Sequence, residues 1–579
     1  MGNAAIDGGA IAQQPIVLKF GSSVLRDAHS LPRVVTELYR HIRAGRKVVA
    51  IVSAFAGETD KLLEEAKREC AGSLSPHAPA LIGVGEAKAV ALLAMACDRT
   101  GIDAAPLDVR QLGLRASGPF DDALPEHFTT DVLSDALKNH DVVIVPGYVA
   151  IGDHDRTVLL GRGGSDLSAM ILAHTLRADG VTLFKSVPGV FEGNGVQSKE
   201  DDGDLRIYDR ISPETAAKHA DALIQEKALG YAVAQDLTVQ IASLGSASGV
   251  RISKADGDSV PEQITKPVRV GVAGLGVVGE GAVLRLLGDP DHYQVTGILV
   301  QNADKKRHEA IDPQLLTTDL SVFMKSNPDI VIDLMSSSDA GADLMHAALR
   351  EGINIISANK QAVAEDLPAI RAVAEKKGLF VAYGAAVGGG APMVETVMAA
   401  RERTEVASID AVLNGTVNFI LSELQRGQTF ETALKAAQDA GFAEADPSAD
   451  LSGDDARAKA AILAYEAFGV GLSDIDFDIE GLDAEKGADL VNKGGAWRQV
   501  TRIRPTRDGR VHVVVAYEKV DEDPFLARLR DEANAVRIIL ESGDVMAARG
   551  RGAGRIPTVE SVLGDLGAYR RDYHAQDLT

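Results

Sequence analysis

The chain has 579 residues, long enough for two to four domains. Its 60 basic and 83 acidic residues leave a formal net charge of -23, which argues against general nucleic-acid binding while leaving room for a local basic pocket. Cys70 and Cys97, the two cysteines, give no disulfide framework and no thiolate metal cluster. Met1–Gln14 lacks the charged start and apolar run of a secretion signal, and no run of about 18 apolar residues reads as a membrane span, so a cytoplasmic protein with no membrane partner is expected.

Pro15–Ser23 reads as a buried strand that runs into Lys19 and a Gly21-Ser22-Ser23 turn, whose amides and hydroxyls suit phosphate oxygens. Leu31–Ala44 has a helical pattern, with Ser30 as its expected cap. Lys47–Ser53 is a second strand ending in a glycine and hydroxyl turn at Gly57, Thr59 and Asp60. Pro79–Met95 is helical and carries Gly85-Glu86. Asp141–Pro146 is a third strand. Asp155–Leu160 leads into Gly161-Arg162-Gly163-Gly164-Ser165-Asp166, where paired glycines expose amides, Arg162 can clamp an anion, and Ser165 or Asp166 is expected to cap a helix over Leu167–Leu176. Val181–Phe184 follows as a strand, and Asp236–Ala242 reads as the last strand region. Alternating strands and helices with glycine-rich strand ends imply an open α/β sheet that binds ligands at those ends. No G-x-x-x-x-G-K-[ST] loop is present, so any nucleotide is held by another fold.

This motif series resembles the amino-acid kinase superfamily, and aspartate kinase most. The resemblance implies an α/β sandwich over residues 1–262, using ATP and Mg2+ if it is active. Lys19, with Gly21 and Ser22, would cradle the transferring phosphoryl group. Glu86 and Arg162 would hold the amino-acid substrate, and Asp166 would organise the lysine or the substrate ammonium. Two departures stand out. Ser22-Ser23 replaces Gly-Thr, a form also similar to glutamate 5-kinase. Lys185-Ser186-Val187-Pro188-Gly189-Val190 stands where the family has Thr-Asp-Val-Asp-Gly-Val, so both family acids are gone. An active aspartate kinase, a kinase for another acceptor and an inactive domain all stay open.

Ser243–Asp258 is rich in Gly, Ser, Ala and Asp, and residues 263–267 read as a linker. Val270–Ala273 is then a strand ending at Gly274-Leu275-Gly276-Val277-Val278-Gly279, and a helix opens directly after it. Gly274 permits the turn, Gly276 lets a pyrophosphate approach the backbone, and Gly279 lets helix and strand pack closely. The helix N-terminus offers free N–H groups to phosphates. Tyr293–Val300 is the second strand of this dinucleotide fold. It ends at Gln301-Asn302, neither an NAD-type acid nor an NADP-type arginine, while Lys305–Arg307 leans modestly to NADP; either cofactor remains open. Further strands end at Ser336–Ser338, at Ala358-Asn359-Lys360 and, from Gly378–Tyr383, at a loop running to Pro392. Downstream, Asn414-Gly415-Thr416 precedes Gly441 through Lys459. Asp455 and Lys459 are four apart on a helix starting near Asp454 and share a face, while Glu444 and Asp450 lie on the loop feeding it. Such a set can bind an ammonium and a hydroxyl and hold a proton-transfer lysine; it also fits a surface helix with an ordinary ion pair.

Taken in order, these motifs and Gly550–Leu566 resemble homoserine dehydrogenase over nearly all of residues 268–570. The resemblance implies a Rossmann NAD(P)-binding domain over 268–395, an α+β substrate and dimerisation domain over 396–545, and a return to the nucleotide domain over 546–579. It implies hydride transfer between L-aspartate 4-semialdehyde and L-homoserine. Lys459 would relay the proton to the substrate oxygen, and Lys360 would be its partner. Glu444 and Asp455 would bind the substrate's amino and hydroxyl ends, with Asp450 in support and main-chain groups of Asn414, Gly415 and Thr416 lining that side. Gly274, Gly276, Val277, Val278, Gly279, Gln301, Ser336, Lys360 and Gly552 would contact the cofactor. Backbone oxygens of Val387 and Gly389 would hold a monovalent cation, sodium. A homodimer or homotetramer is implied. Gly384 replaces a family glutamate, Ser336–Ser338 replaces a glycine pair, and Glu480–Arg498 is shorter than in the family. No ACT regulatory domain is expected between the two parts or after Leu566, so feedback through such domains is not expected.

Overall fold

The fully buried run Ile16–Phe20 is strand β1 in a computed structural model of the chain, which describes residues 14–187 except 73 and 127, then 208–219, 224–246, 249–254, 257–259, 266–443 and 446–574. Two units are distinct, Gln13–Thr265 and Lys266–Asp577.

In the first unit, β1 joins β2 (Val48–Val52), β3 (Ala104–Pro106), β4 (Val142–Pro146), β5 (Gly180–Lys185), β6 (Arg210–Ile211), β7 (Val239–Ser243) and β8 (Val250–Ile252). The sheet order is β6-β8-β7-β5-β1-β2-β4-β3, and only β7 with β8 is antiparallel. β1, β2 and β4 are buried along their whole lengths, as parallel strands covered on both faces must be. Alternate side chains serve opposite cores. Leu18, Val48, Ala50 and Ile144 meet helices α1 (Leu31–Arg43) and α2 (Ala78–Thr100); Val17, Val49, Ile51 and Val143 meet α3 (Gly164–Leu176). Parallel pairing brings the ends of β1, β2 and β5, carrying Lys19, Ser53 and Lys185, to the edge where α3 begins.

Four sequence expectations change here. Ser30 does not cap α1: it is already helical, and its hydroxyl donates to the Asp27 carbonyl. Neither Ser165 nor Asp166 caps α3, because Gly163, in a left-handed conformation, starts the helix early and puts both in its first turn. Asp236–Ala242 is not the last strand, since Val250 and Ile252 turn inward from β8 amid the glycine and serine. Finally, α2 is long and apolar enough to cross a membrane by length and composition. Half of that stretch is buried, with Ala89, Val90, Leu93 and Cys97 packed into the core beside β1 and β2.

In the second unit, β9 (Val268–Ala273), β10 (Tyr293–Leu299), β11 (Leu316–Thr317), β12 (Ile330–Asp333), β13 (Asn354–Ser357) and β14 (Val381–Ala382) are all parallel, in the order β11-β10-β9-β12-β13-β14. β14 is shorter than the expected Gly378–Tyr383 strand. The order reverses between β9 and β12, which opens a ligand crevice at their C-terminal ends. Helices α4 (Val277–Leu287), α5 (Ser338–Glu351) and α6 (Lys360–Lys377) each start at that edge. A mixed sheet follows, in the order β16-β18-β17-β15-β19-β20, from β15 (Val406–Val412), β16 (Ile475–Ile479), β17 (Trp497–Pro505), β18 (Val511–Lys519), β19 (Ala533–Leu540) and β20 (Val545–Arg551). Against it lie α7 (Gly415–Gln425) and α9 (Asp454–Phe468), with α8 (Ser448–Ser452) beside α9 and α10 (Ala484–Asn492) on α7, so the 480–498 stretch holds a helix, whose Leu490 packs on α7. Helix α11 (Arg555–Tyr569) packs Val559, Val562 and Leu566 into the core of β9, and Glu560 pairs with Arg285 at 2.6 Å.

Candidate functional site

The crevice of the second unit is shaped by its glycines. Gly274 follows β9 at φ +92°, and a side chain there would come within 2.5 Å of the Leu334 carbonyl. Beside Gly276 lies open space at the N-terminus of α4; Val277 stands exposed there, Val278 is half-buried, and Gly279 is buried against the turn. Gln301 is exposed just past β10. Arg307 folds back so that its Nη1 donates to the Leu275 carbonyl at 2.7 Å, putting a guanidinium against the glycine turn.

On the other side of the reversal, Asp333 ends β12 fully buried. Its carboxylate accepts from the Met335 amide at 3.0 Å and the Ser357 hydroxyl at 2.9 Å, and burial pushes its pKa up to about 6. Ser336 is exposed beside it. Ser337 caps α5, and its carbonyl accepts from Asn359 Nδ2 at 2.8 Å. Asn359 also caps α6, so Lys360, the first residue of α6, is held by a continuous polar chain.

Lys360 then reaches the substrate part. Its Nζ is 3.0 Å from Asp455 Oδ1, and Lys459 Nζ is 2.7 Å from Asp455 Oδ2. Burial penalises the Asp455 charge, but the two ammonium groups outweigh it and hold the carboxyl below its usual range. Lys459 also donates to the Leu413 carbonyl at 2.9 Å, which accepts a second bond from Asn534 at 2.9 Å. Asp450 lies on α8 rather than on a loop, because Ser448–Ser452 closes one helical turn. It accepts from Asn414 Nδ2 at 3.0 Å, and burial followed by the neighbouring Asp455 raises its pKa. Asn414 caps α7 with its other atom, Gly415 opens that helix, and the Thr416 hydroxyl donates to the Phe442 carbonyl at 2.7 Å. Glu444 lies outside the described residues. Buried Gly552 abuts Asn534. Val387 and Gly389 lie in a buried loop against Arg551 and Gly552, with the Gly390 amide donating to the Arg551 carbonyl at 3.0 Å.

The first unit holds a second constellation. Lys19 (5% exposed) pairs with Asp166 (4% exposed) at 2.7 Å, and Lys185 pairs with the other oxygen of Asp166 at 3.0 Å. Burial opposes the Asp166 charge, but the two lysines prevail and lower its pKa. Lys185 is depressed by burial first and by Lys19 second. A side chain at Gly21 would strike Lys19 Nζ at 2.7 Å. Glu86 accepts from the Ala54 amide at 3.3 Å, its other oxygen is buried without a partner, and burial pushes its pKa up to about 7. Arg162 is exposed at the tip of its loop, and Ser53 donates to Ser165 at 3.0 Å. The 185–190 motif beyond Val187 lies outside the described residues. Among the described residues no cluster of three or more His, Cys, Asp or Glu side chains is arranged to hold a metal.

Sequence reasoning did not select Asn534, Asp333 or Lys185 as site residues. Lys185 alone had a signal, its place at a strand end in a departing motif.

A six-stranded 3-2-1-4-5-6 sheet whose ligand-edge Lys360 meets the Asp455–Lys459 pair of the substrate part fits the class of nicotinamide-nucleotide dehydrogenases, here joined to an amino-acid-kinase-type unit. Comparison with known proteins narrows the class. The homoserine dehydrogenase family model matches residues 392–566, the homoserine dehydrogenase NAD-binding domain model residues 274–383, and the amino acid kinase family model residues 14–242. Homoserine dehydrogenase of Synechocystis sp. is 34% identical over 319 residues, covering 52% of this chain and 72% of that protein. The Pseudomonas aeruginosa enzyme is 32% identical over 320 residues (52% and 72%), and that of Bacillus subtilis 30% over 319 (53% and 74%). The chain belongs to the homoserine dehydrogenase family, with an amino-acid kinase family domain fused in front, and its second unit carries NAD(P)-dependent homoserine dehydrogenase chemistry.

Proposed function

We propose that the second unit interconverts L-aspartate 4-semialdehyde and L-homoserine, and that the first phosphorylates L-aspartate with ATP and Mg2+. The pairing of Lys360 and Lys459 on one buried carboxylate, Asp455, carries the dehydrogenase reading. When bound, the nicotinamide supplies or accepts the hydride. Lys459 gives a proton to the substrate oxygen during reduction and takes it back during oxidation, with the Leu413 carbonyl and Asp455 aiming its ammonium. Lys360 orients the reacting end, Asp455 accepts from the hydroxyl, and Glu444 holds the amino group, with Asp450 in support. Main-chain groups of Asn414, Gly415 and Thr416 line that side.

Gly274, Gly276, Val277, Val278 and Gly279 take the pyrophosphate, while Gln301, Ser336 and Gly552 complete the cofactor contacts. Arg307 favours NADP, because its guanidinium lies beside the turn and its Nε is buried without a hydrogen-bond partner. Carbonyl oxygens of Val387 and Gly389 hold a monovalent cation. In the first unit, Lys19 faces the transferring phosphoryl group, Asp166 holds Lys19, and Glu86 and Arg162 take the amino acid. The chain assembles as a homodimer or homotetramer through the substrate domain.

Homoserine-dependent reduction of NAD+ and NADP+, assayed separately, tests the first activity; no turnover with either in folded protein refutes it. Aspartyl hydroxamate formation with ATP and Mg2+ tests the second, and silence across amino-acid acceptors refutes it. Arg307→Ala is expected to lower kcat/KM for NADP about tenfold or more with little change for NAD; equal loss with both removes Arg307 from cofactor choice.

A further inference from the structure

We infer that Lys185 is a second phosphate-binding cation of the first unit, contacting the polyphosphate of the nucleotide together with Lys19; this rests on reading that unit as a kinase. Lys19 alone balances Asp166. With Lys185 added, two ammonium groups share one carboxylate, at 2.7 and 3.0 Å, with side-chain exposures of 7%, 13% and 5% for Lys19, Lys185 and Asp166. Among the described residues this leaves a surplus positive charge, which burial makes unfavourable unless a counter-charge joins it. Burial and Lys19 both disfavour the charged form of Lys185, and the attraction of an arriving anion offsets both. The position suits such an anion. β5 lies in register beside β1, so Lys185 leaves the sheet at the edge where Lys19 meets the Gly21-Ser22-Ser23 turn. The next residue is Ser186, where the kinase resemblance places an acid. A lysine is a point charge that pairs with phosphate without a required plane, which suits a flexible polyphosphate chain.

The test is equilibrium binding of ATP, and of inorganic tripolyphosphate, to the intact chain by calorimetry. Lys185→Met removes the charge; Lys185→Gln also removes it but keeps a donor toward Asp166, and serves if the methionine variant does not fold. Lys185→Arg keeps the charge. Homoserine dehydrogenase kinetics monitor the integrity of the rest of the chain. Loss of one charge-assisted contact is expected to raise the Kd for both probes about tenfold or more, with Lys185→Arg retaining most of the affinity. Wild-type affinity in the neutral variants overturns the inference while leaving the kinase reading intact. Wild-type binding that the neutral variants weaken, without hydroxamate formation, supports the inference and refutes the kinase. No binding of either probe to the wild type overturns both.

Discussion

Asp455 carries two ammonium groups at 2.7 and 3.0 Å, and they do different work. Lys459 is the more enclosed and is aimed by a second acceptor, the Leu413 carbonyl. Lys459→Met leaves Asp455 paired with Lys360, so the fold is expected to survive while kcat falls about a hundredfold or more, the usual worth of a positioned proton donor. Steady-state kinetics with thermal melting checks both halves of that statement. In the first unit, Glu86 sets a pH dependence. Burial raises its pKa from 4.5 to about 7, so the carboxylate that would accept a substrate ammonium is present above pH 7 and protonated below it. The KM for the amino-acid substrate in the hydroxamate assay is therefore expected to rise as pH falls through 7, and Glu86→Gln is expected to keep a high KM throughout. The Asp455–Lys459 pair was legible because helical periodicity sets residues four apart on one face. The bond from Asn534 to Leu413 was not, because it joins residues 121 apart and depends on how β15 and β19 pair.

Strand–glycine–helix junctions were the most readable elements, since each glycine answers a local need. Their structure separates two kinds of glycine. An added methyl at Gly279 would lie 2.0 Å from the Gly274 carbonyl oxygen, a backbone clash, whereas at Gly276 it meets nothing within 4 Å. Gly276→Ala is thus expected to fold with a melting temperature within about 2 °C of wild type while raising the KM for the nicotinamide cofactor about tenfold, because the methyl takes the space of the pyrophosphate. Gly279→Ala is expected to lower the stability of the second unit itself. Equal behaviour of the two variants would show that the open space at Gly276 is not the phosphate site. Short elements were less legible. β8 is three residues among glycine and serine and is defined by its partners β6 and β7; α8 is a single turn around Asp450.

Across the whole molecule, each unit has its own cores and its own buried lysine–carboxylate set. The alternation of strands and helices made the order of α/β folds readable, because parallel sheets buried on both faces leave long apolar runs. The convergence of Lys360 with Asp455 came only with the packing of the Rossmann part against the substrate part. Two separate sites predict separable losses: Lys459→Met is expected to leave hydroxamate formation by the first unit unchanged, and parallel loss of both activities would contradict that separation. The most direct measurement is homoserine-dependent reduction of NADP+ and NAD+ by the intact chain beside its Lys459→Met variant. Turnover by the wild type, faster with NADP+ and lost about a hundredfold in the variant, is the expected result; no turnover with either cofactor, or a variant as fast as the wild type, would contradict the assignment.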